Sequence, residues 1–392
     1  MSRKQYVRIM MTTRWMRWAL LHSILRLMPG LRRAFNCPVR EIEATSVAKK
    51  IWEAKTETVV INISDELFEN VLLPSMQVDG GDTSTYPEKR STLKSELVSV
   101  DDCIVYGRTM TLVHSSSFCV LGQENGWLNW NYAKPMFGTS VKQNAECGSC
   151  LVLSSRGHYY HCFANDILPI LYFLRRHGSD IGRISIISRV DYPSFVRNTL
   201  EAIASKFPFV EIAYLSSKEA LAGVTGLYQL RAAAAAEWMP VFSEDAEFIR
   251  GMLAAHYGLK PERAGRRKRI FVSRKGARLR QLKNENELIS ALASNGYDVL
   301  IPDSSNHPVQ IETFMQAEVI IAVHGAALTN LLFCNAGTKV VELFASDHVR
   351  SDYLWVSSQL GLRYRPVKGS KSDYLQGFSV EINDVLRAVD LD

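Results

Sequence analysis

Two stretches of this chain place suitable side chains where an anion would bind. Residues 274–284, RKGARLRQLKN, carry Arg274, Lys275, Arg278, Arg280 and Lys283 without one acid. Residues 322–333, AVHGAALTNLLF, set His324 and Gly325 between an apolar run and a short helical pattern with Thr329 and Asn330 in its first turn. Guanidinium groups offer a planar fork of donors to phosphate oxygens. A helix start adds free N–H groups and the positive end of a dipole. Gly325 permits close backbone approach, Ala326 and Ala327 keep the surface bare, and His324 can donate to a phosphate or a sugar hydroxyl. Singly, the first stretch is a solvated basic loop and the second an ordinary turn. Together they suit a diphosphate.

The flanking residues predict how the two stretches meet. RIFVS (269–273), YDVLI (297–301), EVIIAV (318–323) and KVVELF (339–344) read as buried strands. Between them lie helical patterns: ENELISALASNG, with Asn284 as N-cap, Glu287 three residues on and Gly296 as stop, and PVQIETFMQA, with Pro308 in its first turn. SDYLWVSSQLG and INDVLRAV read as closing helices. Strands alternating with helices predict a parallel sheet with right-handed crossovers, and ligands bind beyond the carboxyl ends of such strands. The loops 274–284, 302–308 and 324–327 should therefore open on one crevice.

A similar alternation runs earlier: CLVLSS, the helix ANDILPILYFLRRHG closed by Gly178, ISIIS (184–188), the helix PSFVRNTLEAIASKF with Pro193 near its first turn, and VEIAYL. RAAAAAEW (231–238) is good helix material, and EDAEFIRGMLAAHYG reads as a helix before the basic PERAGRRKR. Residues 58–140 alternate short apolar runs with turn signals and read as β-rich, with a loop over 79–92. The expected fold is α/β, with two Rossmann-like domains facing a crevice behind a β-rich N-terminal part. The boundaries are a leader over 1–45, an N-terminal acceptor-side domain over 46–240 and a C-terminal domain over 241–392, whose last helix can pack back on the N-terminal domain.

No GxGxxG, GxxxxGK[ST] or GxSxG pattern occurs, and the one Asp-x-Asp is Asp390-Leu391-Asp392. Nicotinamide dinucleotide chemistry is thereby disfavoured, and so is a metal-bridged diphosphate held by an internal acidic pair. Cys147 and Cys150, followed by His158, His161 and Cys162, have a loose zinc-like grouping. There is no second CxxC, so buried free cysteines are the better reading.

The segment FVSRKGARLRQLKNENEL followed by AEVIIAVHGAALTNLLFCNAGTKVVEL resembles the C-terminal signature of glycosyltransferase family 61. GHYYHCFANDILPIL (157–171) resembles the family's earlier tyrosine–histidine segment, with Cys162 where an aromatic residue is common. The resemblance covers about residues 150–345 and is that of a bacterial-like member. It implies a GT-B architecture and inverting transfer of a sugar from a nucleotide-sugar donor, usually UDP-linked, with no cofactor and no metal. It also implies that Arg274, Arg280, His324, Gly325, Thr329 and Asn330 hold the donor diphosphate, with Glu342 accepting from ribose or sugar hydroxyls. A base must act from the opposite face, which makes Asp166 and His161 the candidates. For Asp166 a plain helix-capping role is the alternative. Arg189 and Asp191, just after the strand 184–188, are expected on the acceptor side. A protein of the same fold that binds nucleotide or glycan without turnover is the rival reading.

The charge is uneven. Of 46 basic residues, nine precede the first acid, Glu41, leaving 37 basic against 40 acidic for the remainder. The body is thus not a nucleic-acid-binding surface. In the leader, Trp15, Trp18, Leu21 and Leu25 fall at helical spacing among Arg14, Arg17 and Arg26. That run is short of the ~20 apolar residues of a spanning helix and lacks a cleavage site. It suits peripheral contact with an anionic membrane through residues 3–33, or no fixed structure. Seven cysteines, an odd number, fit a reducing compartment. The expected setting is cytoplasmic, at the inner membrane face, with a glycan or lipid-linked saccharide acceptor in surface polysaccharide synthesis.

Overall fold

A computed structural model describes residues 41–43, 49–53, 57–60, 67–77, 90–115, 119–122, 139–143, 149–153, 157–233, 241–260 and 268–390. The basic leader, Cys147, the 261–267 basic run and most of the 79–92 loop lie outside the described residues. No described helix is long and apolar enough to cross a membrane.

The protein is α/β, with one mixed and one parallel sheet. In the C-terminal half, β12 (Lys268–Val272), β13 (Tyr297–Leu300), β14 (Ala317–Val323), β15 (Lys339–Phe344) and β16 (Arg363–Lys368) are all parallel, in the order β13-β12-β14-β15-β16. β14 and β15 are apolar almost throughout because helices cover both faces. The strand order reverses between β12 and β14, so the carboxyl ends of these two strands flank the switch-point crevice. The 274–284 loop and the His324–Gly325 turn leave those two ends, as the periodicity predicts.

β16 has no counterpart in the sequence reading. Its residues, RYRPVK, alternate cations with apolar positions and contain Pro366, which suits a sheet edge. The short helical segment Phe68–Leu72 and Leu73–Met76 packs against β16 through its second part, and the Lys368 ammonium donates to the Gln77 carbonyl at 3.1 Å. The closing helix, Ile382–Asp390, packs on β15 and β16, its own sheet, rather than back on the N-terminal half.

The N-terminal half departs from the expected second Rossmann-like unit. β8 (Ser149–Val152), β9 (Ile184–Arg189) and β10 (Val210–Leu215) pair in parallel, as the alternation implies. They are joined through β11 (Glu219–Ala233) to the long β4 (Arg90–Tyr106), which pairs antiparallel with β5 (Thr111–His114), and β5 in turn with β6 (Cys119–Gly122). With β1 (Glu41–Glu43), β2 (Lys49–Glu53), β3 (Glu57–Val60) and β7 (Ser140–Gln143), the described residues form one 11-stranded sheet. The β-rich part is therefore continuous with the βαβ part. Arg231, Ala232 and Ala233, read from sequence as helical, are strand residues paired with Ser95, Lys94 and Leu93. A seventeen-residue partner strand overrides the helical propensity of alanine.

The helix after β8 also runs differently. It opens at Tyr159–His161, widens to a π-helical turn over Cys162–Ile167 and continues as Leu168–Ile181. Gly178 does not end it; the left-handed residue is Gly182, at φ 85°. Gly178 is instead held by packing, since a Cβ there would stand 2.7 Å from the Phe209 ring. The Asn284 side chain does not cap its helix but donates to the Val380 carbonyl at 2.8 Å.

One contiguous buried cluster joins the halves. It contains Phe163, Ile167, Leu171 and Phe195 from the first and Ile270, Phe314, Leu331, Phe333 and Trp355 from the second. Phe333 sits edge-on to Phe163 at 6.3 Å and is fully buried. Phe333→Ala should cost ~3–5 kcal/mol. Because the core is shared, denaturant unfolding followed by fluorescence and circular dichroism should remain one transition at a lower midpoint. Separate unfolding of the halves would refute a common core.

Candidate functional site

The two strand-end loops form one unit. Arg274 leaves β12 and lays its guanidinium across the turn after β14, with Nη1 donating to the His324 carbonyl at 3.2 Å and Nη2 to the Leu279 carbonyl at 3.0 Å. Gly325 is needed for this contact: a Cβ there would stand 1.7 Å from Arg274 Nη1. Its φ of 166° is ordinary extended backbone, so space rather than conformation selects glycine. The close approach expected at Gly325 is thus made by an arginine of the same protein.

Arg280 follows at φ 59°, a left-handed conformation uncommon outside glycine, and its N–H donates to the Leu375 carbonyl at 3.0 Å. Gln376, at φ 61°, lines the same cleft as Arg280, His324, Phe344 and His348. Two strained residues facing one cleft is the pattern of a functional site rather than of a connecting loop. Nε of Arg274 and Nε of Arg280 are both buried without a hydrogen-bond partner among the described residues. Burial, reinforced by Arg280, brings the Arg274 pKa down to about 10, and burial lowers that of Arg280 as well. Both stay charged at neutral pH.

Glu342 is fully buried near the end of β15. Its Oε1 lies 2.6 Å from His324 Nδ1, and its Oε2 accepts from the Tyr364 hydroxyl at 2.5 Å. Burial pushes its pKa up, and the two donors oppose that shift. The His324 ring is stacked on Phe344 and flanked by Tyr353 and His348, with centroids 5.3, 5.7 and 6.3 Å away. A carboxylate at Nδ1 fixes the ring's orientation and leaves Nε2 as its working atom.

The remaining cleft residues come from the loop after β15 and the start of the helix Asp352–Gln359; the sequence reading has this helix but not its part in the site. Arg350 Nε donates to Asp352 Oδ2 at 2.9 Å, while Asp352 Oδ1 accepts from the Tyr160 hydroxyl at 2.7 Å. Arg350 acts on Arg280 and on His348 through space. His348 is pushed down to about 4 by burial and by its cationic neighbours. Tyr159 reaches the other way and donates to Asn330 Oδ1 at 2.6 Å. The adjacent tyrosines of HYYH thus tie the N-terminal half to two elements of the C-terminal half.

His161 is half-buried in the field of Arg350 and Asp352, and burial together with His158 lowers its pKa. Asp166 lies on the π-helical turn and is only 4% exposed. Arg189 and Asp191 stand at the end of β9, where Arg189 Nε donates to Asp191 Oδ1 at 2.7 Å. Arg189 Nη1 also donates to the Arg108 carbonyl at 3.5 Å, so the polar contacts of this pair lie within the N-terminal half. Thr329 and Asn330 are fully buried on the 3-10 helix Ala326–Phe333, and Asn330 gives its amide hydrogens to Gln310 and the Ala327 carbonyl. They brace the turn from beneath instead of presenting a first helical turn to solvent. Cys150 and Cys162 belong to two different buried clusters, which removes the zinc-like grouping with Cys147, itself outside the described residues. The described residues contain no cluster of metal-ligating side chains.

What the cleft can do follows from its charges. Arg274, Arg280 and Arg350 face two carboxylates, Asp352 and Glu342, whose oxygens are already engaged. Two half-buried guanidiniums, each with a buried Nε that has no partner among the described residues, therefore retain unused donors, the condition for binding a polyanion.

Residues 159–341 match the model of the family Glycosyltransferase 61. The match supports that family over this segment, just under half of the chain. It begins on Tyr159 and ends just before Glu342, leaving His348, Arg350 and Asp352 outside it. No curated protein matches the chain.

Gly325→Ala should expel the Arg274 guanidinium from the turn. Inorganic pyrophosphate titrated calorimetrically should bind at least about tenfold more weakly to this variant and to Arg274→Ala alike, the loss of one charge-assisted contact. A Gly325→Ala protein with wild-type affinity would show that Arg274 takes no part.

Proposed function

We propose that the protein is an inverting, metal-independent glycosyltransferase of GT-B type that uses a nucleotide diphosphate sugar, UDP-linked, and a glycan or lipid-linked saccharide acceptor. The observation that carries this reading is the pair of half-buried arginines with unused Nε donors at the switch point, beside a histidine braced by a carboxylate, the arginines and the histidine lying inside the segment matching family 61. Arg274 and Arg280 hold the diphosphate, assisted by Arg350 and His348. His324 serves the leaving group through Nε2, and Glu342 orients it rather than touching sugar. Gly325 seats Arg274, while Thr329 and Asn330 support the turn.

In the reaction the acceptor hydroxyl oxygen bonds to the anomeric carbon as the bond to the donor phosphate breaks. The hydroxyl proton passes to a base on the opposite face, and the departing diphosphate is neutralised by the arginines. His161 is the better-placed base: its lowered pKa keeps it neutral, and hence able to accept, at pH 7. Asp166 is buried within the helix and serves that segment's structure in this reading. Arg189 and Asp191 contact acceptor, residues 46–240 form the acceptor side and 241–392 the donor side. The basic stretch 3–33 brings the enzyme to the inner membrane face for surface polysaccharide synthesis.

A thermal-shift panel tests the donor site. UDP and UDP-sugars should raise the melting temperature of the wild type and not of Arg274→Ala, and NAD(P) should do nothing. Absence of any shift, or an equal response of the variant, would discard the site. Released UDP from a UDP-sugar separates an enzyme from a protein that only binds. His161→Ala should lower kcat ~100-fold or more with nucleotide affinity kept, and Asp166→Asn less so.

His348 gives a second readout. Its pKa lies below that of a free imidazole, so the empty protein resists protonation there between pH 6.5 and about 4. A bound diphosphate opposes its cationic neighbours and raises that pKa. UDP binding at pH 6 should therefore take up protons, seen as a calorimetric enthalpy that varies with buffer ionisation heat, and the dependence should weaken in His348→Gln.

A further inference from the structure

A second buried histidine stands outside the cleft. His307, at the start of the helix His307–Met315, is 1% exposed and enclosed by Tyr159, Phe163, Phe195, Tyr257 and Phe333. These residues come from both halves. The Tyr257 hydroxyl is 2.9 Å from Nδ1, and the Tyr159 hydroxyl is 3.0 Å from Nε2.

The hydrogens of this cluster can be assigned by counting donors. Asn330 gives both amide hydrogens away, to Gln310 Oε1 at 3.2 Å and to the Ala327 carbonyl at 3.0 Å. Its Oδ1 therefore accepts, and the single hydroxyl hydrogen of Tyr159 is spent there, at 2.6 Å. Tyr159 can then only accept from His307, which places the imidazole hydrogen on Nε2. Nδ1 is left bare and accepts from Tyr257, whose oxygen in turn accepts from Asn198. At the far end Gln310 passes its own amide hydrogen to the Asp303 carbonyl at 2.6 Å. Every bond points the same way, from Asn198 on the helix Ser194–Lys206 to Asp303 after β13.

We propose that His307 is a positioning residue: held neutral with its hydrogen on Nε2, it completes a one-way relay that fixes the His324–Asn330 turn against the N-terminal half. The relay crosses from one half to the other three times, at Asn198–Tyr257, at His307–Tyr159 and at Tyr159–Asn330. Its Asn330 amide lies on the helix that begins directly after Gly325, on which Arg274 rests. A flipped tautomer would set two acceptors against each other at Tyr159 and two donors at Tyr257. The apolar ring wall offers no charged group to hold an imidazolium; the acid acting on the relay is Glu201, which reaches Tyr257 rather than the imidazole. The consequence for donor binding rests on the donor site proposed above, whereas the relay itself does not.

The test uses the full chain. Nitrogen-15 NMR of histidine-labelled wild type at pH 7 should show one neutral imidazole with a slowly exchanging hydrogen on Nε2, and His307→Gln should delete that signal. A hydrogen on Nδ1, or a doubly protonated ring, overturns the proposal. Deuterium exchange over residues 326–333 should rise about tenfold in Tyr159→Phe and His307→Phe, since a buried acceptor is stranded in each. His307→Gln, whose amide can still donate to Tyr159, should recover most of the protection. Unchanged exchange in both aromatic variants, or no recovery in the glutamine variant, also overturns it. UDP affinity should follow the same order among the variants. If the wild type binds no nucleotide, the donor site falls while the NMR and exchange results still decide the relay.

Discussion

The arrangement of the cleft depends on the packing of phenylalanine rings around a neutral imidazole at the junction of the two halves. Phe163, Phe195 and Phe333 surround His307, and the same rings belong to the core that joins the sheets. Because that packing is shared, the tyrosines at 159 and 160 can reach across with fixed geometry and tie down the 326–333 helix and Asp352. A hydrogen bond contributes little net stability but sets direction, and burial makes leaving it unformed expensive. The aromatic core supplies the cohesion and the polar contacts supply the alignment.

Charge in the cleft is arranged by the same rule. Each carboxylate that enters has its oxygens committed, Glu342 to His324 and Tyr364, Asp352 to Tyr160 and Arg350. The arginines at 274 and 280 are half-desolvated without an equivalent commitment. Holding charge in this state disfavours the empty protein and favours whatever anion completes it, which is how a site gains selectivity for a diphosphate over water.

How much of this the sequence discloses depends on whether the signal is local. β12, β14 and β15 are legible because a parallel strand buried on both faces must be apolar along its length. β16 is not, since an edge strand can carry Arg363, Arg365 and Pro366 and look like a loop. The alanine run at 232–233 misleads because its conformation is set by β4, more than a hundred residues away. Within the site, Arg274, Arg280, His324 and Gly325 are readable as types on strand-end loops. That Gly325 receives Arg274, that Glu342 serves His324, and that His348 and Arg350 complete the cleft are facts of long-range contact. No spacing rule encodes them.

The cover on β16 has a consequence for how the chain tolerates shortening. An edge strand carries unpaired backbone groups that invite pairing with another copy. Here the first described helical segment packs on that strand, with Phe68, Leu72 and Met76 inserted in the common core and Gln77 held by Lys368. A chain trimmed to the family-matched segment would lose this cover, β16 and the last three residues of β15 together. Glu342, His348, Arg350 and Asp352 would go with them, so the sheet and the cleft would fail as one.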